Sequence, residues 1–292
     1  MRSFSRWARA ASCRQGLFGL ALVATIVSPS RSIAQSTAAD SIRDTTHSQK
    51  QAPFFTRKDL VLAAVFAGAT IAAAPFDKQA AQELLRPGTQ ANNFLKHTST
   101  RVEIITSPGA HIIGGALYAV GRIAKYDRVA DLGWHGTEAV LFAQGVTMVL
   151  KGVVGRGRPF LTAGQDPDDF HMGKGFTNSD WSSFPSGHTS TAFAAAAAVT
   201  NETTRWWPRS TWVVGPLMYA GATAVGLSRM YHSRHWASDV ALGAAIGTFS
   251  GRKVVQYVHG HTDNRIDRVM LATSVVPDGR GGVLLAVSLP TP

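Results

Sequence analysis

Six stretches without a charged residue divide the chain, at positions 60–76, 104–121, 139–150, 182–201, 210–228 and 240–251. Each is rich in Ala, Val, Leu and Gly and too long for a typical strand, so the pattern predicts helices. The fold class expected is all-α, a bundle of about six core helices within a domain spanning 59–260. Residues 35–58 are polar and lack apolar periodicity, which predicts a linker. Near the C-terminus the period changes. Positions 269–276 and 283–289 are rich in Val and Leu and flank Pro277-Asp278-Gly279-Arg280-Gly281-Gly282. This reads as strand, tight turn, strand, a β-hairpin within a tail of 265–292. A 17-residue apolar helix reaches ~26 Å against a ~30 Å hydrocarbon core, so these lengths fit membrane spans and buried core helices alike.

The first 34 residues follow a different logic. Arg2, Arg6, Arg9 and Arg14 precede an apolar run at 17–27, and Ser32-Ile33-Ala34 has the small-x-small form of a cleavage site. This is the pattern of a secretory signal peptide at 1–34, and an exported protein acting at the periplasmic face is expected. The chain is basic, with 29 Lys and Arg against 18 Asp and Glu, a net +11. Segment 1–34 holds five Arg and no acid, so 24 basic residues face 18 acidic ones beyond it, a net +6. The only cysteine, Cys13, lies in the same segment. The remainder has no thiol for a disulfide, a nucleophile or a metal. Only 16% of residues are charged and 45% are hydrophobic, which excludes disorder for most of the chain.

Three clusters carry the chemistry. Lys151 and Arg158, followed by Pro159, are seven apart and would share one face of a helix. Two cations there suit a polyanion, or a solvated helix end whose charges complement the dipole. Ser183-Phe184-Pro185-Ser186-Gly187-His188-Thr189-Ser190 leads into an Ala-rich helix, where free backbone N–H groups make an anion site beside His188, or an ordinary Ser or Thr cap beside a surface histidine. The third cluster contains Ser228, Arg229, His232, Arg234, His235 and Asp239. His235 and Asp239 are four apart, so on a helix the carboxylate would accept from one imidazole nitrogen and leave the other as nucleophile or base. A metal on His232, His235 and Asp239 has the spacing, but Arg229 and Arg234 would repel a cation, so no metal ligand is assigned. The inventory matches a phosphate held by fixed cations while one histidine attacks and another protonates the leaving oxygen. His97, His111, His135, His171, His259 and His261 lack spaced partners and read as surface or satisfied core residues.

Lys151-x6-Arg158-Pro159, Pro185-Ser186-Gly187-His188 and Ser228-Arg229-x5-His235-x3-Asp239 resemble the three-part signature of the type 2 phosphatidic acid phosphatase superfamily. That superfamily includes bacterial class A acid phosphatases and vanadium haloperoxidases. The resemblance covers 151–239 without a substitution. It implies that His235 attacks phosphorus, that Asp239 orients it, and that His188 is general acid and then base. It also implies that Lys151, Arg158 and Arg229 bind phosphate oxygens with help from the Ser186 side chain and the Gly187 N–H. Arg156, His232 and Arg234 fall outside its motif positions.

The expected activity is therefore metal-independent hydrolysis of a phosphomonoester or pyrophosphate, with a phosphorylated lipid or a small phosphomonoester as partner and with membrane association. A soluble periplasmic acid phosphatase is the nearest alternative. A haloperoxidase would add vanadate as cofactor; otherwise none is expected. A non-catalytic anion-binding module is the remaining class. Nucleic acid is not an expected partner, because no long basic stripe forms. The loop 160–181, between two motifs, is placed to shape substrate access.

Overall fold

The computed structural model describes residues 55–106, 108–261, 264–271, 273–277 and 283–287. The signal segment 1–34, the linker up to residue 54 and the turn 278–282 lie outside the described residues. The first helix, α1 (Arg57–Ala73), opens on a reciprocal cap. The Asp59 carboxylate accepts from the Thr56 N–H at 2.8 Å, and the Thr56 hydroxyl accepts from the Asp59 N–H at 3.3 Å. Arg57 and Lys58 thus belong to α1 and not to the expected linker 35–58, because a cap depends on two particular residues that composition does not register.

After α1 come α2 (Asp77–Leu85), α3 (Pro87–Gln90) and α4 (Asn93–Thr106). The charge-free pattern does not mark these three, since their apolar positions are interleaved with polar ones. The expected helix at 104–121 is divided: α4 stops at Thr106 and α5 (Gly109–Ile123) starts after Pro108. Proline lacks the N–H that a continuous helix needs and crowds the preceding turn. Stretch 139–150 is the middle of the longer α6 (Asp127–Val154). The last three core helices are α7 (Gly187–Trp206), α8 (Thr211–Tyr231) and α9 (Ala237–Gly260). Residues 265–271 form a short α10 (Arg265–Leu271), so Val269 to Leu271 are helical where a strand is expected. Asn264 accepts from the Ile266 N–H at 3.1 Å and starts that turn. Thr273–Pro277 (β1) pairs antiparallel with Val283–Val287 (β2), Val275 opposite Leu285.

Helix α7 is the hub, packing on α6, α8 and α9. Its contact with α9 is close because both surfaces are stripped to small residues. A Cβ at Gly247 would lie 2.3 Å from the Ser190 carbonyl oxygen, and one at Gly251 would lie 2.4 Å from that of Ala194. Ala194, Ala196, Ala197 and Ala198 are fully buried. The large apolar side chains lie on the outside instead, as Leu60, Val65 and Ile71 on α1 and Trp212, Val213 and Leu217 on α8 show. Two segments, Arg57–Leu85 and Asp127–Val154, are long and apolar enough to cross a membrane, and only 6% of the apolar stretch in the first is buried by the rest of the chain.

Candidate active site

The three sequence clusters meet at one end of the bundle, where α6 ends and α7 and α9 begin. Helix α6 stops at Gly155, which adopts a left-handed conformation (φ 59°). A side chain there would also collide with the His171 carbonyl, 1.8 Å from the Cβ position. Arg158 is consequently on a loop and not on the helix with Lys151. The two cations converge by chain reversal rather than by the helical phase their spacing implied. Both grip Ser182: Lys151 Nζ donates to its carbonyl, and Arg158 donates to its hydroxyl at 3.1 Å. Lys151 also reaches the Ser183 carbonyl (3.3 Å), and Arg158 the carbonyls of Ser179 (2.9 Å) and Arg234 (3.3 Å). Ser179 in the loop 160–181, with Ser182 and Ser183 just beyond it, thereby supplies most of the acceptors that fix the cations.

His235 precedes α9 and is buried. Its Nδ1 donates to the Ser183 carbonyl at 2.7 Å, while Asp239 Oδ2 stands 3.6 Å away. The direct carboxylate–imidazole bond expected from the i, i+4 spacing is replaced by a carbonyl, because His235 lies outside the helix that carries Asp239. The consequence for the tautomer is the same: with the proton on Nδ1, Nε2 keeps its lone pair. Burial, and then the Lys151 charge, push the His235 imidazole down to about 3, so the ring is neutral at physiological pH.

Asp239 is fully buried and satisfied on several sides. It accepts from the Ser183 hydroxyl (2.5 Å), the Trp236 N–H (2.8 Å) and Arg156 (2.7 Å). These donors, with His235, outweigh burial and hold its carboxyl below the ordinary range. Asp239 thus fixes the frame around His235 through Ser183 and the backbone of Trp236.

His188 sits in the first turn of α7 and lines a cavity of about 220 Å³ with Lys151, Gly187, Gln144, Thr147 and Thr191. Burial and the Lys151 and Arg158 charges hold its imidazole below the ordinary histidine value. The N-terminus of α7 has no side-chain cap, so its first N–H groups and dipole end are open to an anion. Gly187 brings its backbone against the Lys151 side chain, whose Cε would lie 3.5 Å from an added Cβ. Ser186 is fully buried, with its hydroxyl accepting from Thr189 at 2.8 Å and its N–H bound to the Asp239 carbonyl at 2.9 Å. It ties α7 to α9 behind the cavity.

Arg229 differs from the other cations. Its guanidinium is ion-paired with Glu103 of α4, and its Nε is buried without a partner. His232 Nε2 lies 3.7 Å from the other Glu103 oxygen. Glu103 carries no spacing signal in the sequence, being 126 residues from Arg229.

Arg156, outside the motif positions, is a buried strut. It bridges Asp239 (2.7 Å) and Asp77 of α2 (2.8 Å), and its Nε donates to the Pro167 carbonyl at 2.8 Å. Asp77 in turn accepts from the Ser238 hydroxyl and N–H at 2.5 and 2.8 Å. Asp77 is not distinguished by pattern, and Ser183 stands in the second cluster without an assigned role. Ser183 alone has a cue, its place two residues before Pro185.

Among the described residues the clusters able to hold a metal are His135–Glu202–His259 and His135–Glu138–Asp267, neither of which includes His232, His235 or Asp239. His135 and His259, read from sequence as lacking partners, both bond Glu202, at 2.6 and 2.9 Å.

Comparison with known proteins finds similarity to one superfamily. Residues 133–263 match the PAP2 superfamily. Over 71 residues the chain is 48% identical to the lipid A 1-phosphatase of Porphyromonas gingivalis, covering 24% of this chain and 15% of that protein. The matched stretch thus spans less than a sixth of that relative. The fold is similar to the crystal structure of the first transmembrane PAP2 type phosphatidylglycerolphosphate phosphatase from Bacillus subtilis, with a TM-score of 0.50 and 17% identity over 70% of this chain and 97% of that one. The matched region contains all three motif clusters, and those clusters meet at one end of the bundle: it is to the PAP2 superfamily that residues 133–263 of this chain are similar.

Proposed function

We propose that this chain is a metal-independent phosphatase that hydrolyses the phosphomonoester or pyrophosphate of a lipid through a phosphohistidine. The observation that carries the reading is His235, a buried neutral imidazole whose Nδ1–H is held by the Ser183 carbonyl beside Lys151 and Arg158. In the first step Nε2 of His235 forms a bond to phosphorus as the bond to the leaving oxygen breaks, and His188 gives that oxygen its proton. In the second, His188 takes a proton from water, the hydroxide displaces Nε2 from phosphorus, and inorganic phosphate and free His235 result. Lys151, Arg158 and the Gly187 N–H stabilise the charge on the equatorial oxygens. Arg229 joins them by exchanging Glu103 for a phosphate oxygen.

Two features favour a lipid over a soluble ester. Large apolar side chains cover the outside of α1 and α8, as suits a protein bathed in lipid. An apolar cavity of about 280 Å³ begins at Ala192, one turn along α7 from His188, and is walled by Val102, Ile113, Leu117, Val140 and Leu217. The P. gingivalis relative, a lipid A 1-phosphatase, acts on a substrate of this class.

The reading is tested with His235→Ala in the full chain. Phosphate release from a lipid phosphate should fall by about four orders of magnitude or more, with the helical circular dichroism unchanged and EDTA without effect on the wild-type rate. Turnover by the variant near the wild-type rate would overturn it.

A further inference from the structure

The end of the bundle away from the active site holds a second set of buried ionisable groups. His135 and Glu138 lie on α6, Glu202 on α7, His259 on α9 and Asp267 on α10. Along α9 alone, His259 is about 30 Å from Asp239, at 1.5 Å per residue. The phosphate chemistry makes no use of this cluster.

From its geometry we propose that the chain binds a divalent transition-metal ion, with Zn²⁺ the best match, through His135 Nε2, Glu138 and Asp267. The ligand atoms of these three residues lie within 4.8 Å of one another. Around one Zn²⁺, ligand atoms at ~2.0–2.2 Å from the metal are ~3.5 Å apart, so side-chain shifts of about 1 Å close the site. His135 is 1% exposed, and its Nε2 has no hydrogen-bond partner; Glu138 Oε2 is also buried without one. Buried polar atoms are nearly always satisfied. Here the two that are not belong to the proposed ligands, and they come from residues one helical turn apart on α6.

The remaining atoms are arranged as an outer layer. Nδ1 of His135 donates to Glu202 at 2.6 Å, and Glu202 is braced by His259 at 2.9 and 3.0 Å. A carboxylate that holds the far nitrogen of an imidazole fixes the tautomer and raises the basicity of the nitrogen facing the metal. Asp267 is oriented by Trp134 Nε1 (2.9 Å) and Asn264 Nδ2 (3.1 Å). One imidazole and two carboxylates suit Zn²⁺ or Mn²⁺ rather than a thiophilic ion, with water completing the shell. The carboxylates of Glu202, Asp267 and Asp131 all act on His135, and that of Asp267 acts on Glu138. A dication would offset that excess of carboxylates. Bound there, it would fasten α10, and the β1 strand after it, to α6.

The test uses the full chain in detergent, stripped with EDTA, dialysed and then given ZnCl₂. Wild type should retain about one zinc per chain by elemental analysis after gel filtration. Its Tm should rise by about 5 °C or more on adding zinc. The near-isosteric variants Glu138→Gln and Asp267→Asn should lose both effects, along with the visible absorption of the Co²⁺-substituted protein. A wild type that holds no zinc and shows no zinc-dependent Tm would overturn the proposal and leave a metal-free hydrogen-bonded cluster. So would variants that bind as wild type does. His235→Ala should keep its zinc, so a failure of the phosphatase reading leaves this result standing.

Discussion

His188 and His235 stand in one electrostatic field but are set to opposite tasks by what touches them. His235 is wholly enclosed, and its neutral form is enforced by burial and by Lys151. His188 borders the cavity and is lowered more gently, by burial and then by Lys151 and Arg158. A histidine whose value is lowered gives up its proton at lower pH than usual, so in the free enzyme His188 is protonated only below the ordinary 6.5. The acid form required for the leaving group is therefore lost as pH rises through that lowered value. The kcat/KM profile should show an alkaline limb with its midpoint below 6.5. In the kcat profile the limb should move up, because bound phosphate offsets the two cations. His235, titrating at about 3, should add no acid limb above about pH 4, once the substrate's own second phosphate ionisation near about 6 is corrected for. An enzyme-borne acid limb near 6.5 would show that His235 is protonated in the free site and that burial does not set its state. This pairing was legible in the sequence as residue types, since Pro185 to His188 and Arg229 to Asp239 name the participants. The contacts that tune them were not. The Ser183 carbonyl bonds His235 across 52 residues, and Arg156 joins Asp77 across 79. Local spacing holds no information about either.

At the scale of elements, the site is held in register by the α7–α9 seam. Gly243, Gly247 and Gly251 recur every fourth residue on α9, opposite Ser186, Ser190 and Ala194, also four apart on α7. This small-residue spacing lets two helix backbones approach closely. One end of the seam carries both Ser186 and Asp239, joined by a backbone bond of 2.9 Å. Spreading the helices would therefore pull the α7 N-terminus away from His235. Gly247→Leu should cost about 3 kcal/mol or more through overpacking. It should also lower kcat more than tenfold in the fraction that still folds, and thermal denaturation together with single-turnover phosphate release would measure both. A variant of unchanged Tm and rate would show that the seam has slack. Apolar runs in the sequence marked α7, α8 and α9 because each contains a long charge-free run. The breaks were less visible: Pro108 ends one expected helix and Gly155 ends another, each through a backbone constraint at a single residue. Helices α2 to α4 were missed because their stability comes from packing on other elements and not from their own composition, as the buried Asp77 on Arg156 illustrates.

For the whole molecule, side-chain size is distributed opposite to the usual pattern of a water-soluble bundle. The interior is rich in Ala, Gly, Ser and Thr, with Trp236, Tyr231 and a few Val among them, while Leu60, Val61, Val65 and Ile71 cover α1 and Trp212, Val213 and Leu217 cover α8. Burying small residues and exposing large apolar ones gains little from the hydrophobic effect in water. In a bilayer the exposed face is solvated by lipid, and close helix packing supplies the cohesion. Of the apolar stretch beginning at Arg57, 6% is buried, so the described residues leave most of the α1 surface uncovered. The protein should remain in the membrane pellet through alkaline carbonate and enter solution only with detergent. The same surface bears on substrate. A buried methylene contributes ~0.8 kcal/mol, so an ester whose tail places four of them in the apolar cavity that begins one turn along α7 from His188 gains ~3 kcal/mol, a ratio of about 100 in kcat/KM over a short-chain ester. Rates measured for a long-chain and a short-chain phosphomonoester in one detergent would give that ratio directly. A ratio near one, with the protein released by carbonate, would instead favour a soluble acid phosphatase whose apolar faces meet other protein.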